Sequence, residues 1–391
     1  MKARSLMLGS LGMTLVMTTV WACSDDSGSS STPASDAGTA SETATGADSS
    51  PPATALPSYI VPGTESMAAI TINKTTGEFF VDSSESGKIY RGMAGAEKEA
   101  TLELVADLTG AGVTRGGHIT LSPDGKTLFV LSALFDPPHV TIVDLTTKTV
   151  TKTVDMPAAG AAPVTALQDV AISPDGKKIY ATNSFENVIH TVDLTTYEAS
   201  TFPISSEFPH IADTSQGFIN ATGLSLSNDG KHLLVVHIID KHLYRVSLDP
   251  ATLGKAEKID TAPYNVSGNG LWLGSDNEAL EVAGDELRVF RFKLNADYTK
   301  GDYLAKYQSD AFEQGLAYAV AHEDRVLVLN GSGLALGGGG GFPGGAAPDG
   351  GPDGGDAGGG GFPGPEGGGL PPQAGDAGAK RLPFKVLQLP K

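Results

Sequence analysis

The sequence offers one thiol, and its setting is that of a lipid-attachment site. Cys23 is the only cysteine among 391 residues and follows Val20, Trp21 and Ala22, an apolar residue at −3 and a small one at −1. A thiol is needed at such a position because it is alkylated with a diacylglyceryl group before the leader is cut. Lys2 and Arg4 supply the basic start, and the apolar run over residues 6–21 is shorter than the ~20 residues of a membrane span. The reading is a lipoprotein signal peptide over residues 1–22, with Cys23 lipidated and the chain tethered to a membrane outside the cytosol, in or beyond the periplasm. Ser24 stands where an aspartate would mark retention at the inner membrane, which favours the outer membrane. Acylation of Cys23 leaves no thiol for a disulfide, a Cys–His nucleophile or a zinc–thiolate site.

The remaining groups that could do chemistry are scattered. The eight histidines are His118, His139, His190, His210, His232, His237, His242 and His322; His232, His237 and His242 are spaced like strand and turn positions within one blade rather than like a metal cage, and each histidine is read as structural. No Gly-x-Ser-x-Gly elbow is present. Asn73, Asn220 and Asn265 match the glycosylation sequon, which carries little meaning in a bacterial-type chain. Formal charge is −18, becoming −20 once Lys2 and Arg4 leave with the signal. Such acidity excludes a basic footprint for nucleic acid.

The elements that must position these groups come from a repeat. Ser122-Pro123-Asp124-Gly125 recurs as Ser173-Pro174-Asp175-Gly176 and as Ser227-Asn228-Asp229-Gly230, at steps of 51 and 54 residues. Each turn lies between alternating apolar stretches, a strong hairpin signal. Further strands are expected at 140–145, 188–194 and 243–248, with weaker copies of the unit at residues 70–77, 271–276 and 326–329. Units of about fifty residues with four short strands mark propeller blades. A β-sandwich lacks so long a period, a solenoid of this period would be helical, and no amphipathic helix is evident.

The expectation is therefore an all-β, six-bladed β-propeller over residues 57–330. Residues 23–56 form an acidic Ser/Thr/Ala tether that cannot bury enough apolar surface to order. Residues 331–380 form a Gly/Pro-rich disordered insertion, with 23 glycines in the 48 positions 331–378. Residues 381–391 would supply the closing strand of the last blade. Trp272 and Phe292 are expected to pack between blades.

Several stretches resemble the gluconolactonase-like and strictosidine-synthase-like six-bladed propellers. They are Gly77-Glu78-Phe79-Phe80-Val81 with Gly87-Lys88-Ile89-Tyr90-Arg91, Leu167-Gln168-Asp169-Val170-Ala171, Thr222-Gly223-Leu224, Asn269-Gly270-Leu271-Trp272-Leu273, and Leu382-Pro383-Phe384-Lys385-Val386. Val143-Asp144-Leu145-Thr146-Thr147 and its echo Val192-Asp193-Leu194-Thr195-Thr196 are similar to propellers with YVTN-type repeats. The resemblance implies one calcium or zinc ion at the channel mouth, held by a first-blade Glu, middle-blade Asn residues and a fifth-blade Asp, where it would polarise a lactone carbonyl.

Counting back equally from each turn places Ala68, Gly117, Gln168, Thr222 and Asn269 at the ligand positions. No carboxylate stands in that register, although Glu65 lies three residues before Ala68. A neutral cage would hold calcium or zinc only weakly, so no cofactor is expected, and Glu65 and Asn269 are the weak metal candidates. Asp169 resembles the family's acid/base neighbourhood and, with Glu65, is the weak catalytic candidate. His118, Gln168, Asp169, Thr222 and Asn269 are the candidate ligand-binding residues at the channel mouth. Two functions are carried forward. The first is a non-catalytic propeller, lipid-anchored and extracytoplasmic, that binds a protein or small molecule. The second is a divergent metal-dependent lactonase-type hydrolase.

Overall fold

The computed structural model describes residues 56–391 apart from 134–135, 159–164, 212–219, 284–285, 313–315 and 331–384. Cys23, the signal, the tether before residue 56 and the Gly-rich insertion lie outside the described residues.

The turns decide the local structure. In the second repeat unit Ser122 Oγ donates to Asp124 Oδ1 at 2.6 Å and accepts the Thr127 amide at 2.9 Å, while Gly125 takes a φ of +71°. The same construction recurs at Ser173/Asp175 and Ser227/Asp229, with Gly176 and Gly230 at φ +71° and +70°. Only glycine enters that backbone region without penalty, and the Ser–Asp pair satisfies the amides the turn exposes. At the next hairpin, Asp144 accepts the Thr146 and Thr147 amides, and Asp193 accepts those of Thr195 and Thr196.

These hairpins build six sheets. Blade one runs from the inside outward as Met67–Ile72, Glu78–Ser83, Lys88–Met93 and Glu103–Asp107. Blade two is Gly116–Leu121, Thr127–Ser132, His139–Asp144 and Thr149–Asp155. Blade three is Leu167–Ile172, Lys178–Asn183, Val188–Asp193 and Ala199–Pro203. Blade four is Ala221–Leu226, His232–His237, His242–Ser247 and Ala256–Lys258. Blade five is Gly270–Leu273, Glu278–Ala283, Arg288–Leu294 and Gly301–Tyr307. The innermost strands of successive blades lie side by side, and that of blade six returns to blade one. The chain is an all-β, six-bladed propeller. Among the described residues the one helical turn is the 3-10 segment Thr109–Ala111, and no helix is long and apolar enough to cross a membrane.

Blade six is assembled from both ends of the chain. Leu316–His322 and Arg325–Asn330 form its inner pair, Lys385–Pro390 is its third strand, and Ser58–Ile60 is its fourth. The expected closing segment thus begins, among the described residues, at Lys385, and it does not close the ring alone. Tyr59 pairs with Val386 on one side and runs parallel to Ala100 of the blade-one connection on the other. Gln388 fastens the junction, accepting the Gly95 amide at 2.8 Å and donating to the Ala96 carbonyl at 2.9 Å.

The core is laminated between neighbouring blades. Phe129, Leu131, Ile179 and Val192 fill the space between blades two and three, and Tyr180, Phe202, Leu233 and Tyr244 that between three and four. Phe292 packs between blades four and five, as expected of it. Burying one such side chain contributes roughly 1.5–3 kcal/mol, and every blade contributes to two such layers.

Candidate functional site

The site follows from a defect repeated in five of the six innermost strands, that of blade five pairing without it. Pairing slips by one residue between Met67 and Ile70, Gly116 and Ile119, Leu167 and Val170, Ala221 and Leu224, and Leu316 and Tyr318. A bulge of this kind leaves an extra residue and turns its side chain out of the ladder. The residues brought into register are Ala69, His118, Asp169, Gly223, Gly270 and Tyr318. These stand one position beyond the Ala68, Gly117, Gln168, Thr222 and Asn269 that counting from the turns selects. The side chains that meet across the channel are therefore His118, Asp169 and Tyr318.

The His118 and Tyr318 rings meet edge to face, with centroids 4.9 Å apart, and His118 Nδ1 lies 3.8 Å from Asp169 Oδ1, beyond hydrogen-bond reach. Asp169 Oδ1 accepts the Val170 amide at 2.7 Å, and Oδ2 accepts the Leu224 amide of blade four at 2.7 Å. A relay of hydroxyls continues round the ring. Thr182 donates to the Thr222 carbonyl at 3.0 Å, Thr222 to that of Gly268 at 2.8 Å, and Tyr318 to that of Asn269 at 3.2 Å. Blades three to six are thereby tied to one another across a dry layer, for His118, Asp169 and Tyr318 are all buried.

Burial sets the charge of the layer. It pushes the Asp169 carboxyl up to about 8 against the pull of its amide and Tyr318 hydrogen bonds, and drives His118 down to about 3. The Tyr318 hydroxyl is raised further above its ordinary value, by burial and then by Asp169. At neutral pH the layer is uncharged. Desolvation dominates because a buried charge without a full counter-charge is the costliest arrangement available.

A second buried acid adjoins it. Asp82 lies on the second strand of blade one, opposite the bulge, and its Oδ1 accepts the Ala69 amide at 2.8 Å, as Thr182 Oγ1 accepts the Asp169 amide in blade three. Its Oδ2 is buried without a hydrogen-bond partner, and burial raises this carboxyl to about 7. Gly116 has to be glycine here, since a Cβ would stand 2.3 Å from Asp82 Oδ2. Gly117, the residue beside His118, is constrained separately, since a Cβ there would stand 2.3 Å from the Ser132 carbonyl oxygen.

Of the other sequence candidates, Thr222 and Asn269 join the relay of this layer, and Glu65 is bound by its own blade. Glu65 is held by Lys88 through Oε1 and by Ser86 through Oε2 at 2.7 Å. Its burial works upward, but those bonds outweigh it and hold the carboxyl below the usual range. Gln168 and Thr222 are buried, with the Thr222 hydroxyl taken by Gly268, while Asn269 Oδ1 is buried without a partner. These donors do not fit a divalent cation: Asn269 offers one unpartnered amide oxygen, Glu65 is bound by Lys88 and Ser86, and both Asp169 oxygens accept backbone amides. Among the described residues no group of three or more His, Cys, Asp or Glu side chains is placed to hold a metal. His237 and His190 sit within blades; His237 accepts the Asp240 amide, and burial drives His190 to about 4.

On the turn side of the layer lies a cavity of about 430 Å³, floored by Asp169 and Tyr318 and reaching the hairpin turns at Lys74, Pro123, Pro174 and Asn228. Trp272 was expected to pack between blades. It does touch two of the core layers, and it also faces this cavity. Tyr318 and Asp82 were missed by reading the sequence. Tyr318 stands in the sixth unit at the register of Asp169, and Asp82 is a lone acid ending the apolar run Phe79-Phe80-Val81.

Sheets, ring order and channel define a six-bladed β-propeller crossed by an uncharged polar layer. No protein-family model matches the chain, and no curated protein does. Among solved structures it is similar to selenomethionine-substituted virginiamycin B lyase from Staphylococcus aureus, at 14% identity over 67% of this chain and 76% of that one, with a TM-score of 0.45. A functionally unknown protein from Desulfotomaculum acetoxidans matches at 12% identity over 68% and 79%, with a TM-score of 0.47. Hydrazine synthase from Kuenenia stuttgartiensis matches at 14% identity over 68% and 80%, with a TM-score of 0.44.

Proposed function

We propose that the chain is a lipid-anchored, extracytoplasmic propeller that binds a ligand through its channel and catalyses no reaction there. The observation that carries this reading is the state of Asp169. A general base must be ionised, a general acid must keep its proton, and either must reach the reacting group with an oxygen the fold leaves free. Asp169 is 5% exposed, holds its proton at neutral pH, and has both oxygens engaged by backbone amides. It braces the ring. Incubating the protein with a lactone panel plus calcium, zinc or manganese should give no turnover. Turnover that is abolished both by a chelator and by Asp169→Ala would instead make the chain a lactonase-type hydrolase.

The anchor rests on Cys23 alone. Cys23→Ser should move the protein from the membrane fraction to the soluble one, because each acyl methylene buried contributes about 0.8 kcal/mol and no second attachment point is evident. Retention of the variant on membranes after a carbonate wash would refute the anchor. Fractionation of the parent should place it in the outer membrane, on the strength of Ser24.

A further inference from the structure

The wall of the turn-side cavity is one register layer below His118, Asp169 and Tyr318, and its side chains are Thr71, Thr120, Ala171, Ser225, Trp272 and Val320. Three hydroxyls and one indole thus face a space of about 430 Å³, within the range of small-molecule sites. Apolar flanks complete it, among them Leu121, Ile172 and Leu226.

Charge singles out one residue. Among the described residues lining the cavity, Lys74 is the one full charge at neutral pH, in a chain of net charge −18. It rises from the first turn of blade one and reaches past blade six, where Nζ donates to the Leu273 carbonyl of blade five at 2.7 Å and stands 5.4 Å from the Trp272 ring centroid. The residue as a whole is exposed, yet its amine end is crowded by these neighbours, and that desolvation lowers its pKa while Asp276 opposes the shift. An ammonium has three donors and no acceptor. One is committed to Leu273, and the others are unassigned at the rim of a cavity whose floor is neutral.

We propose that this cavity binds a small organic monoanion with a ring-sized apolar body, its carboxylate held by Lys74 and its body packed against Trp272 among the Thr71, Thr120 and Ser225 hydroxyls. The proposal rests on the reading of the channel as a binding site and names its ligand class. A cation would meet Lys74 without an anionic partner in the cavity wall. A neutral ring would gain the packing and hydroxyl contacts without the charge-assisted bond.

Calorimetric titration of the full chain with cinnamate, cinnamyl alcohol and cinnamylamine tests this. Cinnamate should bind saturably and about tenfold more tightly than the alcohol, the effect of one charge-assisted hydrogen bond. Cinnamylamine should not bind. Lys74→Met should bring cinnamate down to the affinity of the alcohol and leave the alcohol unchanged. Filling the cavity with Ala171→Trp, or with Thr120→Tyr should the first variant fail to fold, should abolish both. Equal affinity for the three probes, no saturable heat with any of them, or cinnamate binding indifferent to Lys74→Met and to the filled cavity would each overturn the site. Those outcomes leave the binding reading standing, with its ligand elsewhere. Chelator-sensitive lactone turnover would sink that reading and would not alter the cinnamate result.

Discussion

Deleting residues 385–391 should leave no folded propeller, whereas deleting residues 335–376 should keep the melting temperature within a few degrees of the parent. The terminal strand is held on both sides. Lys385–Pro390 pairs with Arg325–Asn330 inside and with Ser58–Ile60 outside. Val386 is fully buried, and Leu387 and Leu389 are 4% and 1% exposed. Val386 enters the core layer shared with blade one, and the two leucines enter that shared with blade five. Truncating one buried leucine costs about 2–5 kcal/mol, so losing three such side chains already matches the ~5–15 kcal/mol by which a domain is stable, and two ladders are lost besides. The deletion would also strand Ser58–Ile60, whose antiparallel partner it removes, and leave an open edge where the ring closes.

The insertion differs because the strands on either side of it pair with each other. Asn330 and Lys385 are paired directly, so the ends of the inserted segment sit one ladder step apart. Closing a loop between such ends costs only about 0.6 kcal/mol more per doubling of its length. Shortening it should be neutral or slightly stabilising. Thermal unfolding followed by circular dichroism separates the two deletions, and identical melting of both variants and the parent would remove the closing-strand assignment.

The blades were legible because their turns are specified by local chemistry. A Ser, an Asp and a Gly at fixed offsets satisfy the turn amides whatever lies beyond, so Ser122, Ser173 and Ser227 announce hairpins from sequence alone. His118 and Asp169 were legible as candidates, but the register count missed them by one residue. A bulge adds a residue without any compositional mark, so equal counting back from the turns overshoots Asp169 and arrives at Gln168. The fourth strand of blade six was not legible, since Ser58-Tyr59-Ile60 is too short for a periodicity to show. Its partners lie in the last residues of the chain and in the blade-one connection. Trp272 was ambiguous for a different reason. An aromatic on an innermost strand reads as core whether it faces a neighbouring blade or the channel, and here it touches both.

Stability should fall as pH rises from about 7 to about 8.5 and level off above that. Two buried carboxyls decide the sign, opposed by His118, His190, His237 and His232, all lowered by burial. Asp82 and Asp169 are raised from an ordinary 3.8 to about 7 and about 8, by burial in each case. The folded state therefore keeps protons that the unfolded chain has already released, and stability declines with pH until the folded carboxyls also ionise. His118 and His190 are lowered from 6.5 to about 3 and about 4, again by burial. They favour the unfolded chain as pH drops below 6.5, and between there and pH 4 they oppose the acids. At pH 6.5 the unfolded histidines are still half protonated; about one unit higher they have released nearly all their protons, and the two carboxyls act alone. Each can contribute at most about 1.4 kcal/mol per pH unit. Asp82→Asn should remove one of the two contributions, because the amide oxygen can still accept from Ala69 and the amide nitrogen replaces Oδ2, which has no donor to lose. At pH 6.5 the variant should be weaker by about 1–3 kcal/mol, the cost of a buried unpaired amide nitrogen, and by pH 8.5 the gap should narrow or reverse. Asp169→Asn should also flatten the profile while staying less stable throughout, since one of the Val170 and Leu224 amides would then face an amide nitrogen. Urea unfolding at pH 6.5, 7, 7.5 and 8.5 measures all three proteins. A parent whose stability is flat or rises from pH 7 to 8.5, or an Asp82→Asn slope equal to the parent's, would show that these carboxyls are ionised in the folded channel.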